Sequence, residues 1–288
     1  MSPRGMAQLP AVLLGAGAIS DPRALARFGD LAGVPLPVGP VEAGARRPRT
    51  GGAVVHRLGV GVLEHDAARS VSVAGARELL AWASTRGLSC CLSVRGRTTG
   101  DLAAVVEQVH RSLEGDAVCA VEVDLRGADD QTVLRSMSRV REAAPRDQRL
   151  MARLSAADPD LGSCARSAVA GGATVVVVSG QVPLGPGRWW SGPSTAALCR
   201  AGLRTLRAAA AEQRWPGALL VAAGGVHGPG SALDAVAEGA AAVQLGSALW
   251  ADPTVLWTVR DAVATAVGQQ PAGVAPAPSR PDISRRTS

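Results

Sequence analysis

The chain has 288 residues, 47% of them hydrophobic, and a formal net charge of +6, a length and apolar content that suit one large aliphatic core. Its 30 basic residues are all arginine; the sequence has no lysine, no asparagine and no tyrosine, so no mechanism can draw on a lysine ammonium or an asparagine amide. The arginines are scattered, clustering only at Arg46-Arg47-Pro48-Arg49 and Arg285-Arg286, which argues against a nucleic-acid-binding stripe.

Residues 1–10 contain one arginine and lack the apolar stretch of a signal peptide. No apolar run approaches the ~20 residues of a membrane span. The five cysteines, Cys90, Cys91, Cys119, Cys164 and Cys199, show no metal-ligand spacing and read as buried, reduced thiols. A cytoplasmic protein is the expectation.

Short apolar runs separated by amphipathic segments recur eight times: at 11–15, 34–38, 88–94, 119–125, 149–154, 173–178, 218–222 and 241–245. Helical spacing is evident at 101–113, where Leu102, Val105, Val106, Val109 and Leu113 follow a Thr/Gly/Asp start, and again at 194–212, 231–238 and 253–267. Alternating strands and helices predict a parallel sheet, and eight units close it into a (β/α)8 TIM barrel, a single domain over 1–268. One insert, residues 46–64 between strands two and three, alternates at Val54, Val55, Val60 and Val62; it predicts a hairpin over the barrel mouth. Residues 269–288, rich in Pro, Ala, Ser and Arg, are expected to be a disordered tail.

Glycine clusters punctuate the last third of the barrel. Ser191-Gly192-Pro193, Ala223-Gly224-Gly225-Val226 and Leu245-Gly246-Ser247 lie in loops near apolar runs. In a barrel, loops after the last strands turn backbone N–H groups toward a phosphate, and glycine lets the chain come close. Gly15-Ala16-Gly17 ends strand one, where a flat ring can lie on backbone or a tight turn can form. On strand four Glu122 and Asp124 share one face, and on strand five Arg153 can turn inward beside Asp124. Those two form either a ligand site or a structural ion pair; Asp124 is the candidate general base and Arg153 a fixed cation. Trp189 and Trp190 follow strand six above the mouth; one indole is expected to cover an aromatic ligand and the other to pack, although such a pair also suits a homo-oligomer interface. His227 adjoins the Gly224-Gly225 turn, either near a phosphate or facing solvent. His56, His65 and His110 complete no metal constellation.

Taken together, Gly171-Gly172-Ala173, the Ser191-Gly192-Pro193 loop, Gly224-Gly225-Val226, Gln244-Leu245-Gly246-Ser247-Ala248 and Asp252-Pro253 resemble the class 1 dihydroorotate dehydrogenases, in that family's order. The resemblance runs along most of the chain and implies an FMN-binding TIM barrel with a mouth hairpin. It places backbone at Gly192, Gly225, Gly246 and Ser247 on the FMN phosphate and Gly15-Ala16-Gly17 beneath the flavin ring. Arg153 then stands where the family has a flavin-contacting lysine, and Ser191, Gly224 and Ser179 complete the cofactor side. The substrate side departs from the family. Asp124 replaces an asparagine, Gly127 replaces the catalytic cysteine, Val178 stands for an asparagine late in strand six, and an ionised Asp124 is expected to repel the orotate carboxylate. The expectation is a flavin-dependent oxidoreductase acting on another small molecule. A non-redox enzyme and a pseudoenzyme that reuse the phosphate-binding barrel remain open.

Overall fold

Each of the eight apolar runs forms a strand of one parallel sheet. The computed structural model describes residues 9–19, 21–45, 56–58, 61–65, 70–185, 188–212 and 218–268. The chain begins with β1 (Val12–Leu14) and β2 (Leu36–Glu42), followed by an antiparallel hairpin of β3 (His56–Leu58) and β4 (Gly61–His65). Then come α1 (Val73–Ser84), β5 (Cys90–Arg95), α2 (Thr99–His110), β6 (Val118–Asp124), α3 (Asp130–Ala143), β7 (Arg149–Ser155), α4 (Leu161–Ala170) and β8 (Val175–Ser179). Two short strands, β9 (Val182–Pro183) and β10 (Arg188–Ser191), precede α5 (Ala196–Ala211), β11 (Leu219–Ala223), α6 (Pro229–Ala237), β12 (Ala242–Leu245), α7 (Ala248–Ala251) and α8 (Val255–Gly268).

Hydrogen bonding runs β1-β12-β11-β8-β7-β6-β5-β2 with every pair parallel. The ends of that series are the first two barrel strands, so the sheet curls into a nearly closed (β/α)8 barrel. Local chemistry fixes the helices between strands. Thr98 and Asp101 form a reciprocal capping box at the start of α2, and Asp129 accepts from the Thr132 N–H at 2.7 Å to start α3. A 3-10 turn, Pro22–Arg27, stands between β1 and β2 where other units carry an α-helix. Among the described residues no helix is long and apolar enough to cross a membrane.

The period-two alternation of the strands sorts the core into two shells. Outward residues such as Val121, Val123, Leu92, Leu154, Val176 and Val178 pack under the helices. Inward residues, among them Leu13, Cys91, Ala120, Met151, Val175, Val177 and Val221, fill the barrel. Many of the inner positions are small, so Leu13 and Met151 supply much of the filling.

Two features depart from the sequence-based boundaries. β2 runs on to Glu42 instead of ending at Val38. Gly39, at φ +120° and with the Ser93 carbonyl against its Cα, shifts the register between Val38 and Val41, so that pairing with β5 resumes beyond Pro40. The insert does form a hairpin, but its strands belong to a four-stranded sheet, β3-β4-β10-β9, which also draws in the loop after β8. Pairing of β4 with β10 sets this sheet over the carboxyl-end mouth. Residues 46–55 and 59–60 of the insert, and the tail at 269–288, lie outside the described residues.

Met151 is fully buried in the narrow inner shell. Met151→Ala should lower stability by about 2–5 kcal/mol, because small neighbours such as Ala120 cannot collapse into the space. Chemical denaturation followed by circular dichroism measures this. A loss below ~1 kcal/mol would mean that the inner shell is not close-packed.

Candidate functional site

At the carboxyl end of the barrel the inward positions turn from apolar to polar. Cys91 is followed two residues later by Ser93 and then Arg95, Ala120 by Glu122 and Asp124, Met151 by Arg153 and Ser155, Val177 by Ser179 and Gln181, and Ala242 by Gln244. Ser93, Glu122, Arg153, Ser155, Ser179 and Gln244 are buried.

Glu122 is the hub of this layer. One carboxylate oxygen accepts from Ser93 Oγ at 3.3 Å and from Arg153 Nη1 at 3.4 Å, while the other accepts from Gln244 Nε2 at 2.7 Å. Arg153 Nη1 also donates to Gln244 Oε1 at 2.9 Å, and Nη2 donates to Gln181 Oε1 at 3.0 Å. This corrects the expected pairing of Asp124 with Arg153. The two stand side by side in the β6–β7 register, but the Arg153 guanidinium reaches Glu122 and the two glutamines.

Asp124 is held instead by Arg126 and Arg95. Arg126 donates through Nε at 2.7 Å to one oxygen and through Nη2 at 2.7 Å to the other. Arg95 adds Nε at 3.1 Å and Nη2 at 2.9 Å. Burial by itself would raise the carboxyl pKa. The guanidinium charges, Arg126 first and then Arg95 and Arg153, outweigh it and hold Asp124 well below the usual carboxylate range. Arg126 Nη1 donates to Gln181 Oε1 at 2.6 Å, so this glutamine links the two ion-pair groups.

The predicted cradle residues come together in one cleft. Its glycine side is formed by Gly192, Gly224, Gly225 and Gly246 with Ser191 and Ser247, and its other wall by Gly15, Ala16 and Arg153. Gly15 N–H donates to the Leu245 carbonyl at 2.7 Å, which draws the end of β1 against that of β12. Gly192 and Gly225 have φ of +105° and +69°, and a Cβ at Gly225 would stand 2.4 Å from the Ala196 backbone. A Cβ at Gly246 would meet nothing within 4 Å. Gly17 lines a second cleft beside the first, together with Pro40, Ser93, Arg95 and Arg126; Ala16, Arg153 and Gln181 border both.

Other expected residues lie elsewhere. Ser179 is fully buried and lines neither cleft, and its Oγ has no hydrogen-bond partner among the described residues. His227 is exposed, with Nδ1 2.6 Å from the Gly225 carbonyl, and is outside the cleft lining. Trp190 sets its ring in the space a Cβ at Gly61 would take and donates to Ser194 Oγ at 2.8 Å, while the Arg126 guanidinium lies 4.0 Å over the Trp189 ring. Burial pushes the Cys90 thiol up to about 12 and the Cys199 thiol to about 11, which leaves neither as a thiolate near neutral pH. No group of three His, Cys, Asp or Glu among the described residues could hold a metal. Arg95, Arg126 and Gln181 were not singled out from the sequence. Each stands two residues beyond an inward polar side chain at a strand end, and that spacing is the signal that could have found them.

No protein-family model matches the chain, and no curated protein matches it. Among solved structures, the fold is similar to ligand-free DHODH (dihydroorotate dehydrogenase) from Eimeria tenella, with a TM-score of 0.69 at 15% identity over 92% of this chain and 85% of that one. It is likewise similar to DHODH from the same organism in complex with ferulenol, with a TM-score of 0.70 at 15% identity over 92% and 82% of the two chains. The protein thus has the barrel fold of these structures.

Proposed function

We propose that the protein is an FMN-dependent oxidoreductase acting on a small molecule other than dihydroorotate. The observation that carries this reading is the convergence of the backbone cradle, the Gly15-Ala16 wall and Arg153 on one cleft at the carboxyl end of the barrel. The cradle fits a phosphate, since Gly246 is open on the side where a Cβ would stand. Arg153 fits an acceptor-rich ring, because its buried Nε–H has no partner among the described residues. Backbone N–H groups at Gly192, Gly225, Gly246 and Ser247 would take the phosphate, with Ser191 and Gly224 shaping the loops. Gly15, Ala16 and Gly17 would lie beneath the ring, with Arg153 at its edge. FMN, when bound there, supplies a hydride acceptor.

In this reading Asp124 orients Arg95 and Arg126 and does not carry a proton. A carboxylate held so far below its ordinary range is a weak base, contrary to the expectation from sequence. Repulsion of a substrate carboxylate by Asp124 also falls away, since two guanidiniums neutralise it. What still argues against dihydroorotate is the lack of asparagine amides and of lysine, together with Gly127 in place of a cysteine.

Freshly purified protein should show flavin absorbance or a thermal upshift with added FMN, and should oxidise dihydroorotate little or not at all. Gly246→Asp should weaken FMN binding roughly a hundredfold, as its carboxylate enters the cleft beside the phosphate. Gly225→Asp is the poorer test, because its Cβ collides with Ala196 whatever the ligand. Colourless protein that is unmoved by FMN but stabilised by another phosphate-bearing molecule would favour the non-redox reading. Dihydroorotate turnover at an ordinary enzymatic rate would refute the substrate claim.

Asp124→Asn should cost about 3–5 kcal/mol at neutral pH, because both guanidiniums lose a buried counter-charge. The unfolded carboxyl titrates near 3.8 and the folded one lower, so this stabilisation is present above pH 3.8 and fades as pH falls toward the folded value. The variant should therefore lose less stability below pH 3.8 than the wild type. Urea titrations across pH measure both effects. Unchanged stability with abolished turnover would restore Asp124 as a proton carrier.

A further inference from the structure

We propose that Gln181 is the positioning residue of the cofactor cleft: its side-chain carbonyl, shared by two arginines, fixes the plane of the Arg153 guanidinium. The backbone is held on both sides of this residue. Before it, the Gly180 N–H donates to the Ala223 carbonyl at 2.9 Å, and a Cβ at Gly224 would stand 2.7 Å from the Gly180 Cα, so the chain leaves β8 in close contact with the glycine cradle. After it, β9 begins at Val182 and pairs with β10 in the mouth sheet. Gln181 thus starts from an anchored stretch between cradle and mouth sheet, and it borders both clefts.

The two ion-pair groups meet at its oxygen. Arg126 directs Nε and Nη2 to the Asp124 carboxylate and turns Nη1 onto Gln181 Oε1 at 2.6 Å. Arg153 brings Nη2 onto the same oxygen at 3.0 Å. An amide oxygen has two lone pairs, so it can accept from both guanidiniums. On its other side Arg153 donates through Nη1 to Gln244 Oε1 at 2.9 Å and to Glu122 Oε1 at 3.4 Å. A guanidinium is planar, so anchoring both Nη atoms also fixes the direction of Nε–H. That Nε is the atom for which no described residue supplies an acceptor. Without the Gln181 carbonyl, Arg153 would be anchored through Nη1 alone, and the acceptor between the two cations would be gone. Asp124 therefore acts on the cofactor cleft at one remove: it fixes Arg126, Arg126 fixes the Gln181 oxygen, and that oxygen fixes Arg153. A cation already set in its bound orientation loses less freedom when a ligand arrives, which raises affinity. The effect on FMN rests on the flavin reading; the orientation of Arg153 does not.

The test compares the full-length wild type with Gln181→Met, which keeps the length and removes the acceptor, and with Gln181→Glu, which restores acceptor oxygens. Arginine-labelled protein is followed by NMR without FMN, with Arg153→Lys assigning the Arg153 signals by their loss. Exchange between the two Nη positions of Arg153 should quicken about tenfold in Gln181→Met and stay slow in Gln181→Glu, a pattern that a general loss of stability would not produce. Calorimetric titration with FMN should then show about tenfold weaker binding to Gln181→Met, with Gln181→Glu recovering most of the loss. Should Gln181→Met not fold, Gln181→Ser, whose hydroxyl is too short to reach both arginines, carries the same expectations. Wild-type exchange at Arg153 in the variant that lacks the acceptor, or fast exchange in Gln181→Glu, would overturn the proposal. So would FMN binding that is equal in wild type and Gln181→Met. Quickened Arg153 exchange in a protein that ignores FMN would sustain the orienting role of Gln181 while removing the flavin reading.

Discussion

The organisation of the site depends on the Glu122 carboxylate. It stands inside a barrel whose lower interior is aliphatic, and it draws together Ser93 from β5, Arg153 from β7 and Gln244 from β12. Those groups could not be buried one by one, because each polar atom removed from water without a partner destabilises the fold. Together they form a polar layer that divides the packed interior from the open mouth. Everything above that layer is built on it: Gln181 is reached from Arg153, Arg126 from Gln181, and Asp124 from Arg126.

The scaffold was legible in the sequence because strands buried on both faces read as apolar runs, and the helices between them keep their own period. Boundaries blurred where backbone conformation outweighed hydropathy, as at Gly39 and Pro40 in β2. The mouth sheet was only half visible. Strands of two to five residues carry too little alternation to announce themselves, and the pairing of β4 with β10 joins segments more than a hundred positions apart. The glycine clusters that line one cleft were visible in the sequence as turns beside apolar runs; what the cleft holds was not. The ion pairs were not. Asp124 had three arginine partners to choose from, and sequence alone places all three near the same rim; only the register and the reach of each guanidinium assign Arg153 to Glu122 and leave Arg95 and Arg126 to Asp124.

An all-arginine cation set shapes the electrostatics of this protein. A buried lysine can relax by losing its proton, whereas a guanidinium keeps its charge and demands acceptors in a fixed plane. The interior answers with carboxylates and with glutamine carbonyls, and Gln181 Oε1 accepts from two guanidiniums at once. Arg153 and Asp124 stand side by side in the β6–β7 register, yet each charge is met by a different set of partners.

Ser191 belongs to two structures. It lines the glycine cleft, and as the last residue of β10 it stands opposite Val62 of the hairpin. The next residue pair along that ladder, Trp190 and Leu63, is reinforced by the indole lying on Gly61. The hairpin and the post-β8 segment are thus joined by a β-ladder beside the cleft. A molecule seated against Ser191 would touch a residue whose backbone is already paired with the hairpin, so the wall on that side is sheet rather than free loop.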